Sequence, residues 1–168
     1  MAELWDIYDA DRKPTGKTIE RGQPLPDGYY HIAVQVWIRS RYGEWLISRR
    51  APNKKHPLEW EPTGGSVIAG EDSFTAALRE VREELGIALD PSRGRLWSTH
   101  RNERPDWFNP GFLDVWLFDT DVELSDVVLC PGETVGAMYA SAERIREMME
   151  SGEFVPFSHP LPPFCGGD

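Results

Sequence analysis

The run REVREELG at residues 79–86 constrains the fold most, because it sets three glutamates and two arginines beside the apolar positions of a helix. At about 100° per residue, the apolar side chains in and before this run fall within an arc of roughly 100°, which predicts burial against a sheet. These side chains are Phe74, Ala77, Leu78, Val81 and Leu85. The pattern therefore predicts a helix from Asp72 to Leu85, which Gly86 ends in the left-handed conformation.

Three glutamates of this helix, Glu80, Glu83 and Glu84, lie on one arc beside the apolar side chains. Like charges three or four residues apart destabilise a helix by roughly 0.2–0.5 kcal/mol per pair, so the row requires compensating positive charge. Arg79 and Arg82 would provide it on a solvated face, which is the common arrangement. A divalent cation would also provide it, since Mg²⁺ binds carboxylates together with substrate phosphates.

The residues around the helix decide between these alternatives. They fill every fixed position of the pattern G-x5-E-x7-R-E-U-x-E-E-x-G-U, where U is bulky and aliphatic. The matching residues are Gly65, Glu71, Arg79, Glu80, Val81, Glu83, Glu84, Gly86 and Ile87. Residues 65–87 resemble the Nudix box, and the complete match favours a metal site over a solvated face.

The resemblance implies a fold and a reaction. The fold is an α/β/α sandwich of the α/β class, with a mixed β-sheet and a box that forms a loop, a helix and a loop. The reaction is Mg²⁺-dependent hydrolysis, with Mn²⁺ as an alternative cofactor. Its substrate is a small diphosphate, typically a nucleoside diphosphate linked to another group, in which a phosphoanhydride bond is cleaved by substitution at phosphorus.

The same resemblance assigns roles within the box. Glu83 and Glu84 are expected to bind the metal, together with the backbone carbonyl of Gly64. Glu80 is expected to be either a third metal ligand or the general base that takes a proton from the attacking water, with Arg79 orienting it. The expected catalytic residues are thus Glu80, Arg79 and Glu83.

Residues outside these positions complete the expected site. Some members of the family place the base in a loop outside the box, and Glu133, in CPGETVG, is the candidate for that role. Glu71 is expected to fix the box loop rather than to catalyse.

Two segments are candidates for binding the substrate. The densest basic patch comprises Arg49, Arg50, Lys54 and Lys55, and within it Arg50 is favoured for the distal phosphate because relatives often carry an arginine there. Trp107, in the ERPDWFNP segment, is the first candidate for specificity, since loops on a fixed scaffold commonly set it.

The flanking sequences WDIYDADRKPTGKTIERG, GYYHIAVQVWI and ISRRAPNKKHPLEWEPTGGSV resemble the isopentenyl-diphosphate-isomerase-like branch of the Nudix proteins. True isomerases of that branch use a cysteine near the start of the box, where alignment on Trp60 places Gly65. They also carry a degraded box, whereas this box is complete. The sequence therefore favours hydrolysis, and an isomerase or a non-catalytic nucleotide-sensing module remain the alternatives.

Composition narrows the functional classes further. The net charge of −10 repels polyanions and disfavours a partner that is a nucleic-acid polymer. Cys130 and Cys165 form no CxxC pair, which fits a reducing cytoplasm. The N-terminal residues lack an apolar signal region, and no run of about 18 apolar residues occurs, so neither export nor membrane insertion is expected. A homodimer is an expectation at the level of the family.

The order of predicted elements indicates one domain over residues 1–168, with an N-terminal extension at 1–28 and a tail at 153–168. A hairpin and several later strands surround the box helix, and a second helix is capped by Ser141 and stopped by Gly152. The predicted strands lie at 29–38, 44–49, within 60–69, and at 95–101, 111–119 and 135–139. Strands that alternate with helices favour an α/β arrangement with a mixed sheet.

Overall fold

The structure, a computed structural model, describes residues 1–103, 109–157, 159 and 161–162. It contains nine strands and two α-helices. The strands are β1 (Leu4–Tyr8), β2 (Pro14–Glu20), β3 (His31–Arg39), β4 (Trp45–Arg50), β5 (Trp60–Glu61), β6 (Thr63–Ser66), β7 (Gly94–Asn102), β8 (Gly111–Asp119) and β9 (Thr134–Ala140). The helices are α1 (Ser73–Leu85) and α2 (Ala142–Ser151).

Seven strands form one mixed sheet, as the sequence predicts. Its central order is β5-β4-β3-β8-β7, with β6 paired to β3 and β9 paired to β4. The β3–β8 pair is parallel along the whole of both strands, whereas the other pairs are antiparallel. The two strands of the predicted hairpin, β3 and β4, pair only next to their turn, at Ile38–Leu46 and Arg39–Trp45.

The segment 60–66 fills the opening that results between β3 and β4. Its first part, β5, pairs with β4, and its second part, β6, pairs with β3. Pro62 lies where the chain crosses from one strand to the other, a position where its missing N–H disrupts no ladder. The crossing carries the chain directly into the box at Gly65.

The two helices cover opposite faces of the sheet. Helix α1 buries Ala76, Ala77, Val81 and Leu85 in a core with alternate residues of β3, and Phe74 and Leu78 pack at its margin. Helix α2 buries Ile145 and Met148 in a second core. That core includes Trp37, Trp45, Ile47, Val115, Leu117 and Phe154. The predicted α/β/α sandwich and the predicted apolar side of α1 are both confirmed.

The predicted C-terminal end of α1 is also confirmed, whereas the helix begins one residue later than predicted. The Asp72 side chain accepts a hydrogen bond of 2.7 Å from the backbone N–H of Thr75, so Asp72 caps α1 rather than belonging to it. Gly86 has φ of 69° and donates its N–H to the carbonyl of Arg82. In α2, Ser141 caps the N-terminus and Gly152 caps the C-terminus. These local signals fix α1 between two residues that the sequence identifies.

The N-terminal extension packs against the box loop. Strands β1 and β2 form a separate antiparallel pair. The backbone N–H of Ala69 donates to the carbonyl of Leu4 at 2.7 Å, and that of Gly70 donates to an Asp6 carboxylate oxygen at 2.8 Å. The loop before α1 is therefore supported from outside as well as by the sheet. Across the described ranges, no helix has the length and apolarity needed to cross a membrane.

Candidate active site

The start of the box is determined by two close backbone approaches. A Cβ atom on Gly64 would lie 2.3 Å from the carbonyl oxygen of Val34 on the neighbouring strand. A Cβ atom on Gly65 would lie 2.3 Å from Oε1 of Glu80. The contact at Gly64 is with backbone, so Gly64 is required by space, whereas a side chain at position 65 would displace the Glu80 carboxylate. Gly65 thereby lets the Glu80 carboxylate rest against the β6 backbone.

Arg79 organises the box loop and the first part of the glutamate row. Its guanidinium uses each of its five N–H groups. Nε and Nη2 each donate to Glu71 at 2.9 Å, Nη2 also donates to the carbonyl of Ser66 at 3.0 Å, and Nη1 donates to Glu80 at 2.8 Å and to Glu83 at 3.1 Å. Arg79 therefore positions other side chains, and in this arrangement it has no N–H left for a water or a phosphate.

Glu71 contacts the box loop and Arg79, which agrees with the expectation that it fixes this loop. Its carboxylate accepts two bonds from Arg79 and one of 3.2 Å from the backbone N–H of Ile68. The hydrogen bond to Glu71 is the largest cause that raises the pKa of Arg79 further above its ordinary value. For Glu80, burial raises the pKa, and the charge and hydrogen bond of Arg79 only partly oppose it.

Glu84, at the other end of the row, has a different environment. The residue is 9% exposed, and no hydrogen-bond donor of the described part of the chain reaches its Oε2 atom. Burial is the largest cause that raises its pKa, to about 9, followed by the negative charges of Glu61, Glu80 and Glu133; Lys54 lowers it. A buried carboxylate in this position is suited to bind a proton or a cation.

Glu61 is a site residue that the sequence reading missed. It lies on β5, and both of its carboxylate oxygens are 2.7 Å from Nη1 of Arg50. Its charge acts more strongly on the pKa of Glu84 than that of any other residue. The sequence does show an acid next to Trp60, in a segment predicted to be a strand. Because the box helix carries three glutamates, this single acid was not considered as part of the site.

Two residues of the basic patch, Arg50 and Lys54, pair with acids of the site, whereas Arg49 lies over the Trp60 ring. Arg50, the predicted phosphate ligand, is bound to Glu61 and donates from Nε to the carbonyl of Lys55 at 2.6 Å. Lys54 forms an ion pair with Glu133, whose carbonyl accepts the backbone N–H of Ala51 at 3.0 Å. The structure thus brings the predicted loop base, Glu133, and two predicted basic residues to the end of α1 that carries Glu84.

Of the remaining predicted residues, Glu83 and Arg82 are exposed, and Trp107 is not described. Glu83 points outward, with 58% of its side chain exposed, and contacts Arg79. Arg82 is exposed, as expected. Trp107 lies outside the described residues. Among the residues that are described, no three histidine, cysteine, aspartate or glutamate side chains are already spaced as metal ligands.

The donor set nevertheless fits a hard divalent cation. Glu80 and Glu84 offer carboxylate oxygens, which Mg²⁺ prefers, and Glu84 Oε2 is buried without a partner among the described residues. Each of two further acids is paired with one basic residue: Glu61 with Arg50, and Glu133 with Lys54. A cation would offset the repulsion that raises the pKa of Glu84.

Comparison with known proteins agrees with this arrangement. Residues 29–157 match the family model of the NUDIX domain. The chain belongs to the Nudix family. It is 38% identical over 157 residues to an uncharacterized Nudix hydrolase of Listeria monocytogenes, covering 92% of this chain and 89% of that protein.

A solved structure and a second relative extend the comparison. The crystal structure of DR0079 from Deinococcus radiodurans superposes with a TM-score of 0.71 at 24% identity, covering 90% of this chain and 91% of that one. An isopentenyl-diphosphate Delta-isomerase of Corynebacterium diphtheriae is 33% identical over 90 residues, which is 52% of this chain and 49% of that protein. The predicted family is confirmed, and the similarity to isomerases covers about half of the chain.

Proposed function

We propose that this Nudix protein is a Mg²⁺-dependent hydrolase that cleaves a phosphoanhydride bond in a small diphosphate, typically a nucleoside diphosphate linked to another group. The observation that carries the proposal is the environment of Glu84, a buried carboxylate with one oxygen that lacks a partner among the described residues and three further acids acting on it. The similarity to Nudix hydrolases over most of the chain supports the reaction class.

The proposed metal ligands are Glu80, Glu83, Glu84 and the carbonyl of Gly64. A bound Mg²⁺ ion, or Mn²⁺ as an alternative, polarises phosphoryl oxygens and lowers the pKa of bound water. The acidic protein could then accept an anionic substrate, because the cation cancels the local negative charge. Glu83 would have to turn inward from its present exposed position.

As an alternative to binding the metal, Glu80 is proposed to be the general base. Arg79 holds its Oε1 atom at 2.8 Å, and Gly65 leaves the space in which the carboxylate lies. The proton would be taken on Oε2. Burial raises the pKa of Glu80, which brings its basicity closer to neutral pH and suits proton transfer. Glu133 is the alternative base, since it also lies close enough to act on Glu84.

Two residues are proposed to bind the rest of the substrate. Arg50 would hold the distal phosphate, for which its guanidinium must leave Glu61. Trp107 would contribute to specificity. The proposed ligand is a small molecule rather than a nucleic-acid polymer, in keeping with the net charge of −10. A reducing cytoplasm is the proposed location, and Cys130 is a free thiol.

The isomerase alternative is disfavoured at Gly65. Gly65 has no side chain, so no thiol is present at the position where true isomerases of the branch use a cysteine. Cys130 belongs to the loop at the end of α1, where its backbone N–H donates to the carbonyl of Glu84 at 3.2 Å. Hydrolysis is therefore the better supported reaction.

A substrate panel tests the proposal. Nucleoside diphosphate derivatives would be incubated with the protein and Mg²⁺ in ¹⁸O water, and the products identified by mass. We expect one ¹⁸O atom in a phosphate-containing product and a loss of at least about 100-fold in Glu84→Gln. Glu150→Gln, an exposed glutamate of α2, is the matched control and should retain activity. Lack of turnover on the whole panel, or equal activity of Glu84→Gln, would contradict it.

A further inference from the structure

We propose that Glu61, which lies outside the box, binds the same divalent cation as Glu84, and that Arg50 occupies this carboxylate until the cation arrives. The inference rests on the proposed function for the position of the cation at Glu84. It adds a ligand from the strand before the box and gives Arg50 two successive partners.

The register of β4 and β5 sets the direction of Glu61. Ser48 lies opposite Glu61, and Arg49 lies opposite Trp60. The Arg49 guanidinium lies 5.8 Å from the centre of the Trp60 ring, and that ring packs against the core under α2. Because successive side chains of a strand alternate between faces, Ser48 and Glu61 face the side of the sheet that α1 covers. Glu61 therefore faces the box helix.

Two fully or nearly buried oxygens on that side lack a hydrogen bond from any described residue. One is Oγ of Ser48, a residue with 0% exposure, and the other is Oε2 of Glu84, a residue with 9% exposure. They belong to different elements, β4 and α1, and Glu61 is the cross-strand neighbour of Ser48. Unsatisfied buried oxygens are unfavourable, and a hard cation or its bound water is the natural partner for them.

The ion pairs around Glu84 indicate which charges a cation would replace. Arg50 contacts both oxygens of Glu61 through the single nitrogen Nη1, an arrangement that is less specific than a two-nitrogen pair. Arg50 lies opposite Thr134 of β9, and the Oγ1 atom of Thr134 donates to the backbone carbonyl of Glu84 at 2.9 Å. A doubly charged ion between the two carboxylates would relieve their repulsion, whereas the guanidinium neutralises Glu61 alone.

The exchange would also give Arg50 its second role. Its Nε atom is held by the carbonyl of Lys55 at 2.6 Å, and its backbone is fixed in β4. When the carboxylate of Glu61 turns to the cation, Nη1 is released beside the site but cannot move far. Arg50 is then available to a phosphate oxygen of the metal-bound substrate, as the proposed function requires.

Binding of Mn²⁺ to the full-length protein, without substrate, tests the inference. Free Mn²⁺ would be measured by electron paramagnetic resonance during titration. We expect Glu61→Gln to weaken binding at least about tenfold. Glu59→Gln removes a nearby carboxylate that pairs with His56, and it should leave the affinity unchanged. Arg50→Gln should tighten binding by up to about fivefold, because the competing positive charge is gone.

Each combination of results has a distinct meaning. If Glu84→Gln weakens Mn²⁺ binding but Glu61→Gln does not, Glu61 is not a ligand and the proposed function stands. If neither weakens it, the proposed metal site at Glu84 fails as well. Because Glu61→Gln changes a buried ion pair, circular dichroism of each metal-free variant checks the fold. The double variant Arg50→Gln/Glu61→Gln leaves no lone charge, and wild-type affinity in that protein would overturn the inference.

Discussion

The two ends of the glutamate row differ in how their charges are satisfied. Around Arg79, every N–H of the guanidinium has an acceptor, and Glu71, Glu80 and Glu83 share one positive charge. Around Glu84, three acids act on a buried carboxylate that has an oxygen without a partner among the described residues. Glu84 also lies in the last turn of α1, where the helix dipole disfavours negative charge.

The difference indicates two kinds of function within one helix. A completed network such as that of Arg79 holds the box loop and Glu80 in one geometry, so it contributes to stability. An uncompensated buried carboxylate reduces stability unless a ligand arrives, and sites of this kind often serve binding or catalysis. Substitutions at the two ends should therefore change stability in opposite directions.

The largest effect is expected at the completed end. Arg79→Met leaves Glu71 and Glu80 without their shared cation, so the free energy of unfolding should fall by about 3 kcal/mol. Chemical denaturation of the metal-free protein measures it. Arg82→Met, an exposed residue of the same helix, is the control and should change stability by less than about 0.5 kcal/mol. Equal effects of both variants would show that the network does not stabilise the box.

At the other end, removal of the charge should stabilise the protein. Glu84→Gln replaces a carboxyl whose pKa is raised to about 9 by a neutral group of the same shape. We expect the free energy of unfolding of the metal-free protein to increase by about 2 kcal/mol. Activity should be lost in the same variant, which is the usual trade-off at a functional site. A decrease in stability would mean that Glu84 is already satisfied in the metal-free protein.

The contribution of Glu84 to stability should depend on pH. Its pKa is raised from an ordinary value of 4.5 to about 9, so between these values the folded state binds a proton that the unfolded state releases. Stability should consequently fall as pH increases through this range. Between pH 6 and pH 8 we expect a decline of about 1.5 kcal/mol relative to Glu84→Gln, within the limit of 1.36 kcal/mol per unit for one proton.

A chelator and a metal provide the control for this measurement. With the metal removed, stability should decline more steeply with pH in the wild-type protein than in Glu84→Gln. With saturating Mn²⁺, the cation replaces the proton and the decline should disappear from the wild type. Parallel curves for the two proteins in chelator would assign the raised pKa to a different group.

The sequence predicts α1 well because its signals are local. Asp72 and Gly86 mark its ends, and Val81 and Leu85 fall on the buried side, as an isolated helical pattern requires. The α/β class with a mixed sheet also follows from the order of elements, whereas the α/β/α sandwich was implied by the resemblance to the Nudix family. That β3 pairs in parallel with β8, more than 70 residues later, has no local signal in either strand.

The site was predicted less completely for the same reason. Glu80 and Glu84 belong to one helix, so their spacing places them on one arc. The charge of Glu61 acts on Glu84 because the segment 60–66 crosses the opening between β3 and β4. A strand of two residues is too short to show an alternation of side chains in the sequence. Arg50 looked like part of an exposed patch, whereas the structure pairs it with Glu61. Site residues that come from different strands can be recognised only when the pairing of those strands is known.

The smallest effect is expected at the start of α1. A substitution there tests whether the stability of the helix can change without a change in cation binding. Asp72→Ala removes the 2.7 Å cap on Thr75, so the free energy of unfolding should fall by about 1 kcal/mol. Asp72 lies at the opposite end of the helix from Glu84, and Mn²⁺ affinity should therefore stay unchanged. Denaturation and Mn²⁺ titration of the same preparation measure both. If affinity fell with stability, loosening of α1 alone would weaken the site, and the weaker binding expected in Glu61→Gln could no longer be attributed to a lost ligand.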